Sequence, residues 1–510
     1  MSVNASPSAF PASRGPGVRK PASRWWVLAA VECGNFVVYM DGFIVTLALP
    51  AMARHFGVGI HEIKWAVVAY LAAVTVTLLL AGRLADIWGR RLVTITGMAL
   101  HTAGAVLCAL APTMPALLVF RVLQGLGGAL MLANVMTEIS AVFPREERRV
   151  AMGVNVAVLA MAQVTGLIVG GFLTGWWGWR SIFLVPIVVG VVGVGLDLAV
   201  LRRQDGDRRT VHMDWGGAIL SILVVGTPFF VLERLAADPT SPSGLGLVLV
   251  GAVLLWLFVL VERRARHPLL DLGLFRSRGY VCGAVAASCY FMAATSAYFL
   301  LPLYAQIVRA LSPLSAGLIL LPVSLALTVT SQLTPRLGKG ISARTLCTAG
   351  LVCAAVGALA LSPLGHATSF WLMLWPLLLL GMGGGIFHPP NNTAVLSDVA
   401  PQELGVANGV FTTARNFGQA IGTSIAAEIL ARHLHSAGEG AHASLSTVGS
   451  PAYFSAYLVG QGRAFQVAAA LGMAGAIISA LRGPDRRRPA PASGPLIATT
   501  ELEPAGSTGR

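Results

Sequence analysis

Residues 26–49 read WVLAAVECGNFVVYMDGFIVTLAL, an apolar run broken by two carboxylates, Glu32 and Asp41. As a helix the run is long enough to cross a hydrocarbon core of roughly 30 Å. A charge at that depth costs roughly 2.5–3.5 kcal/mol on insertion scales, so it is normally kept where an ion or a substrate is handled. Positions 32 and 41 fall on opposite faces at about 100° per residue. Glu32 shares its stripe with Asn35, Tyr39 and Thr46, whereas Asp41 looks away, among Gly34, Val37 and Val45. Either carboxylate could instead do no more than bind a neighbouring helix. Two idle ones are hard to reconcile with their cost, and the stretch reads as part of a proton or cation pathway.

The rest of the chain enlarges this reading. Over 510 residues, 55% are apolar and 11% charged, and the mean hydropathy is +0.73. Apolar runs recur to the end, which no soluble globular chain of this length shows. The net charge of +14 is spread over short loops and tails without interleaved aromatics, so nucleic acid is a poor partner. The six cysteines lie in predicted spans without a CxxC pair, and neither a disulfide framework nor a metal site is expected. His433, His435 and His442 read as ordinary surface histidines. Nothing resembles a Walker loop or a catalytic triad, so an ATP-driven pump or an enzyme is not expected.

About fourteen spans are predicted, divided into a basic disordered tail (1–25), a six-helix bundle (26–201), a central linker (202–278), a second six-helix bundle (279–481) and a disordered tail (482–510). The linker holds two extra spans near 215–233 and 244–262, read as a peripheral spacer facing lipid. An external loop is expected over 431–462. Arginines fall in alternate loops, among them Arg83, Arg90, Arg91, Arg145, Arg148, Arg149, Arg202, Arg203, Arg263 and Arg264. The loop with Asp398 and Glu403 departs from the pattern. That bias places both termini in the cytoplasm of a multi-pass protein of the cytoplasmic membrane. The segment 82–91, GRLADIWGRR, is echoed at 331–340 by SQLTPRLGKG. Parallel repeats of this kind build transporters that rock around a central site.

Several segments carry a resemblance. Gly82 to Arg91 is similar to the cytoplasmic loop signature of the major facilitator superfamily, with Ile87 where a basic residue is usual. In that family the loop, here Gly82, Asp86, Gly89 and Arg90, is understood to latch one conformation. DGFIVTLALP at 41–50 resembles the first-helix signature of the fourteen-helix drug:proton antiporters, with Phe43 and Thr46 as departures. Arg121-Val-Leu-Gln124-Gly125 is similar to their fourth-helix signature, whose arginine is associated with proton transfer. Gly166, Gly170 and Gly171 keep the fifth-helix glycines but not the proline that accompanies them, which weakens the case for export. WAVVAYL at 65–71, the segment from Glu262 and that from Arg415 also agree.

The resemblance implies an all-helical fold of two six-helix bundles with an inserted hairpin, exporting amphipathic drug-like or antibiotic molecules against inward proton flow. No cofactor beyond the proton gradient is expected, and a monomer suffices. Asp41 and Glu32 are the candidate proton carriers. Arg121 lies at a depth similar to that of Asp41 and is expected to approach it. Asn35, Tyr39, Gln124, Gln163 and Arg415 are candidate cavity residues, although Arg415 could instead pair with Glu428. Proton-coupled uptake of a small metabolite, or a transport-inactive sensor or scaffold, are the alternatives.

Overall fold

The structure is a computed structural model that describes residues 24–201, 214–237, 240–265, 270, 272–338, 340–397, 399, 404–436 and 450–483. Most of both tails, Arg202, Arg203, Asp398, Glu403 and His442 lie outside them. Fourteen long helices are present among the described residues: α1 (Arg24–Phe56), α2 (Trp65–Trp88), α3 (Arg90–Leu110), α4 (Met114–Leu132), α5 (Arg145–Trp177), α6 (Leu184–Val200), α7 (Trp215–Ala237), α8 (Pro242–Arg264), α9 (Arg278–Leu303), α10 (Pro313–Leu337), α11 (Ala343–Ala360), α12 (Phe370–Ser397), α13 (Leu404–Ser436) and α14 (Pro451–Ala480).

Helices are what a chain in lipid can form, because they satisfy every backbone group internally. Their starts are written locally. At Ser241-Pro242, Ser312-Pro313 and Ser450-Pro451 the serine hydroxyl accepts the N–H of Gly244, Ser315 and Tyr453 at 3.0, 3.2 and 3.0 Å. Proline then occupies the first helical position, where its missing N–H is harmless. The last of these caps corrects the expected external loop: α14 begins at Pro451 and α13 runs to Ser436, so both margins of 431–462 are helical. Among the described residues, thirteen spans are long and apolar enough to cross a membrane. The exception, α13, has 33 residues, about 50 Å of helix at 1.5 Å per residue, but carries Arg415, Glu428 and Arg432.

The pairing of α1–α6 recurs in α9–α14. Contacts α1–α5, α2–α4, α3–α4, α3–α6 and α1–α6 are matched by α9–α13, α10–α12, α11–α12, α11–α14 and α9–α14. The closest approaches repeat as well. A Cβ on Gly127 would stand 2.6 Å from the Gly97 carbonyl, and one on Gly383 would stand 2.6 Å from the Gly350 carbonyl. Small residues let backbones meet in this way where lipid offers no hydrophobic drive.

The two halves touch at the end of the bundle away from the described chain ends. There Gly171 of α5 packs on Pro313 and Leu314 of α10, and Gly317 of α10 on the Leu167 carbonyl. The Phe43 ring of α1 meets Tyr298 of α9 at 5.1 Å, and Gln306 donates to the Leu47 carbonyl at 3.0 Å. Gln306 lies in a π-helical turn, Tyr304–Val308, that follows Pro302. Toward the chain ends the same faces part. Val156, three turns before Leu167 on one stripe of α5, is 47% exposed, and Pro335, five turns beyond Gly317 on α10, is exposed.

The inserted hairpin is not simply a spacer. α8 leaves Leu249 and Trp256 exposed. α7, however, packs across α2 and α13: Phe229 meets Phe417 at 5.7 Å, and Arg432 donates to the Leu235 carbonyl at 3.0 Å. Its one acid near the far end, Glu233, is drawn there by two basic side chains described below.

Candidate functional site

Asp41 faces α2 and α4, away from Glu32, and is fully buried. The Thr113 hydroxyl and Pro115 start α4, whose close fit follows from Gly125: a Cβ there would meet the Tyr70 carbonyl at 2.6 Å. Arg121 and Gln124, one turn apart on α4, therefore both reach α1. One Arg121 terminal nitrogen binds the Asp41 carboxylate directly and also donates to Gln124 Oε1 at 2.7 Å. Gln124 Nε2 donates to the other Asp41 oxygen at 3.1 Å, and Arg121 Nε donates to the Ala66 carbonyl at 2.8 Å. The guanidinium lies 4.3 Å over the Tyr70 ring, whose hydroxyl donates to the Val38 carbonyl.

His101 of α3 completes the cluster. Its Nδ1 lies 3.1 Å from the Gln124 backbone carbonyl, so that nitrogen carries the proton. Its Nε2 then faces the Gln124 amide at 3.5 Å as an acceptor. His101 and Tyr70 were missed in the sequence, although a histidine inside an apolar span is itself a signal of function. The cluster is sealed: Asp41, Arg121, Gln124 and His101 are all without accessible surface. Gln124 is thus part of the charge cluster and not a cavity wall, because both ends of its amide are engaged with Asp41 and Arg121.

Glu32 occupies a separate place. Asn155 of α5 donates to it at 2.9 and 3.2 Å and Asn35 at 3.2 Å. Asn35 is likewise buried in this contact and does not line the central opening. Beside Glu32 lies a recess of about 420 Å³ walled by Trp25 and Phe36 of α1, Val154, Val158 and Met161 of α5, and Val189 of α6. Met161 sits about 120° around α5 from Leu167, so this recess opens sideways between α5 and α6, not between the halves.

Of the remaining predicted residues, Tyr39 is partly exposed and Gln163 is buried in α5. Arg415 is partly exposed, its Cζ 5.0 Å from the Phe291 ring of α9. It does not pair with Glu428. That carboxylate instead accepts from buried Lys64 at 3.2 Å, meets His61 at 2.9 Å and lies 3.5 Å from Arg432. Glu233 of α7 joins the same network, 2.9 Å from Lys64 and 2.8 Å from His61. Both halves and the hairpin are thus tied at the far end.

At the opposite end, Gly89 has φ 90° and links α2 directly to α3, a conformation that favours glycine. Gly82 is uncrowded in this conformation. Asp86 is exposed and forms no hydrogen bond among the described residues, while Arg90 is partly buried.

A repeated pair of six-helix bundles, closed at one end and enclosing a carboxylate–guanidinium pair inside the apolar span, defines a membrane transporter and not an enzyme. The chain belongs to the Major Facilitator Superfamily, whose profile matches residues 31–423. It is 33% identical over 409 residues to the multidrug resistance protein Stp of Mycobacterium tuberculosis (strain CDC 1551 / Oshkosh), covering 80% of this chain and 76% of that one. It is 28% identical over 414 residues to the riboflavin transporter RibZ of Clostridioides difficile (strain 630), covering 81% and 89%. Among solved structures, a bacterial homologue of the human lysosomal transporter Spinster shares the fold with a TM-score of 0.63 and 16% identity, covering 90% of this chain and 96% of that one.

Proposed function

We propose that the protein is a proton-driven exporter of amphipathic drug-like molecules, seated in the bacterial cytoplasmic membrane with both termini in the cytoplasm. The observation that carries this reading is the sealed Asp41–Arg121–Gln124 cluster. Protonation of Asp41 removes the charge that holds Arg121 to α1; loss of the proton restores the pair. A helix contact made and unmade by one proton is what coupling to a rocking motion requires. With cytoplasmic termini, the parted faces at Val156 and Pro335 open toward the cytoplasm, while the segment from Gly82 to Arg90 is a latch disengaged in this state.

Similarity to multidrug resistance protein Stp supports drug-like substrates. Similarity to a riboflavin transporter, together with the missing proline near Gly166, favours transport of a metabolite as the second reading. The test is proton flux in proteoliposomes under an imposed substrate gradient. Export coupled to protons requires counterflow that Asp41→Asn abolishes while substrate binding persists. Co-directional flux would replace export by uptake. Undiminished counterflow in Asp41→Asn, with Glu32→Gln inactive, would transfer the proton to Glu32.

A further inference from the structure

We propose that Arg415, Phe291 and His388 form a subsite in the opening between the halves that takes an anionic group, a carboxylate or phenolate, borne on a planar aromatic substrate. The proposal rests on the transporter reading above and narrows its substrate class to aromatic acids rather than lipophilic cations.

Position comes first. Tyr298 closes the seam against Phe43. Phe291 lies two turns back on the same stripe of α9, so it is the next ring beneath the closed contact, facing the space between the halves. Arg415 of α13 stacks over it, and His388 of α12 lies 5.2 Å from it and 4.6 Å from Tyr290. Three helices of one half thus converge on a single cation and a bank of rings.

Charge decides the occupant. Of the buried cations, Lys64 and Arg121 hold carboxylates and Arg482 donates to Asn391 Oδ1. Arg415 has no acidic partner among the described residues, and its Nε is buried without a hydrogen-bond partner. The one acid on α13, Glu428, is held by Lys64 and His61. On the facing half, Asp41 is neutralised by Arg121, and Glu32 is bonded to Asn155 beside a sideways recess. Neither offers a free carboxylate to the opening. A guanidinium keeps its charge at physiological pH and presents a planar fork suited to a carboxylate. Its stacking on Phe291 fixes the plane of that fork and leaves the edge donors available. The aromatic bank accepts the ring of the same substrate.

The experiment uses full-length protein in detergent and two planar dyes of opposite charge, fluorescein and ethidium, with binding read by fluorescence anisotropy. Wild type is expected to bind fluorescein more tightly than ethidium. Arg415→Gln should weaken fluorescein by about 10–100-fold, the range of lost charge-assisted hydrogen bonds, and leave ethidium unchanged or tighter. Arg415→Lys should fall between, keeping charge without the fork. Phe291→Leu, which unseats the guanidinium and leaves its charge, should weaken fluorescein more than ethidium and serves if Arg415→Gln does not fold. Equal loss of both dyes, no loss of either, or a wild type that prefers ethidium overturns the proposal. Binding is measured without a proton gradient, so a failure of proton coupling would leave this result standing, and a failure here would leave coupling untouched.

Discussion

On the proposed function, Asp41 serves folding and transport together. Its partner is a guanidinium with no accessible surface, and stripping such an ion of its counter-charge costs about 3–5 kcal/mol. Asp41→Asn should therefore lower the melting temperature in detergent as well as stop proton-driven transport. Removing both charges, in Asp41→Asn with Arg121→Leu, should recover much of the thermal stability and none of the transport. Recovery of both would mean that the pair is only structural. The pair was legible in the sequence because two charges stand out in apolar runs. Gln124, His101 and Tyr70 were not legible as its partners, since neutral side chains reveal their role only once α2, α3 and α4 are brought together. Arg415 was legible as an oddity, but only the structure shows Glu428 engaged elsewhere.

At the scale of elements, the glycines of α5 and the inserted hairpin act on the same seam from different sides. Gly166 and Gly170 bring α5 onto α1, whereas Gly171 brings it onto α10. A Cβ at Gly171 would stand 2.7 Å from the Leu314 Cα, so Gly171→Leu should hold the far end ajar. Single cysteines at Leu167 in that background should then react with an impermeant maleimide from outside, where the otherwise native seam protects them. Unchanged protection would show that α10 can shift without opening. The hairpin α7–α8 was readable as an insertion from the span count together with the echo of 82–91 at 331–340. Its grip on the seam was not, because Glu233 at a span end looks like any interfacial acid. Replacing 215–262 with a short linker removes one of the two carboxylates that hold Lys64 and His61. Transport per folded molecule should fall several-fold but persist, since Glu428 remains. Full activity would return the hairpin to the role of a lipid-facing spacer.

For the whole molecule, repetition and sidedness are two different kinds of information. Repetition was faintly visible in the sequence at 82–91 and 331–340, and the paired contacts of α1–α6 and α9–α14 display it in full. Sidedness rests on arginine bias, and labelling checks it. In a background without the six native cysteines, cysteine at Ser2 or Ser507 should be protected from an impermeant maleimide in intact cells, and cysteine at Val156 should label only in inverted vesicles. Labelling of either terminus in intact cells would reverse the proposed orientation and make the open end external. The sealing of Asp41 also bears on the quiet state of the membrane. In this conformation its carboxylate is plugged by the protein's own arginine and no surface reaches it. On the proposed function, a copy resting in this conformation is an insulator, so many copies could stand ready in one membrane without dissipating the gradient that powers them.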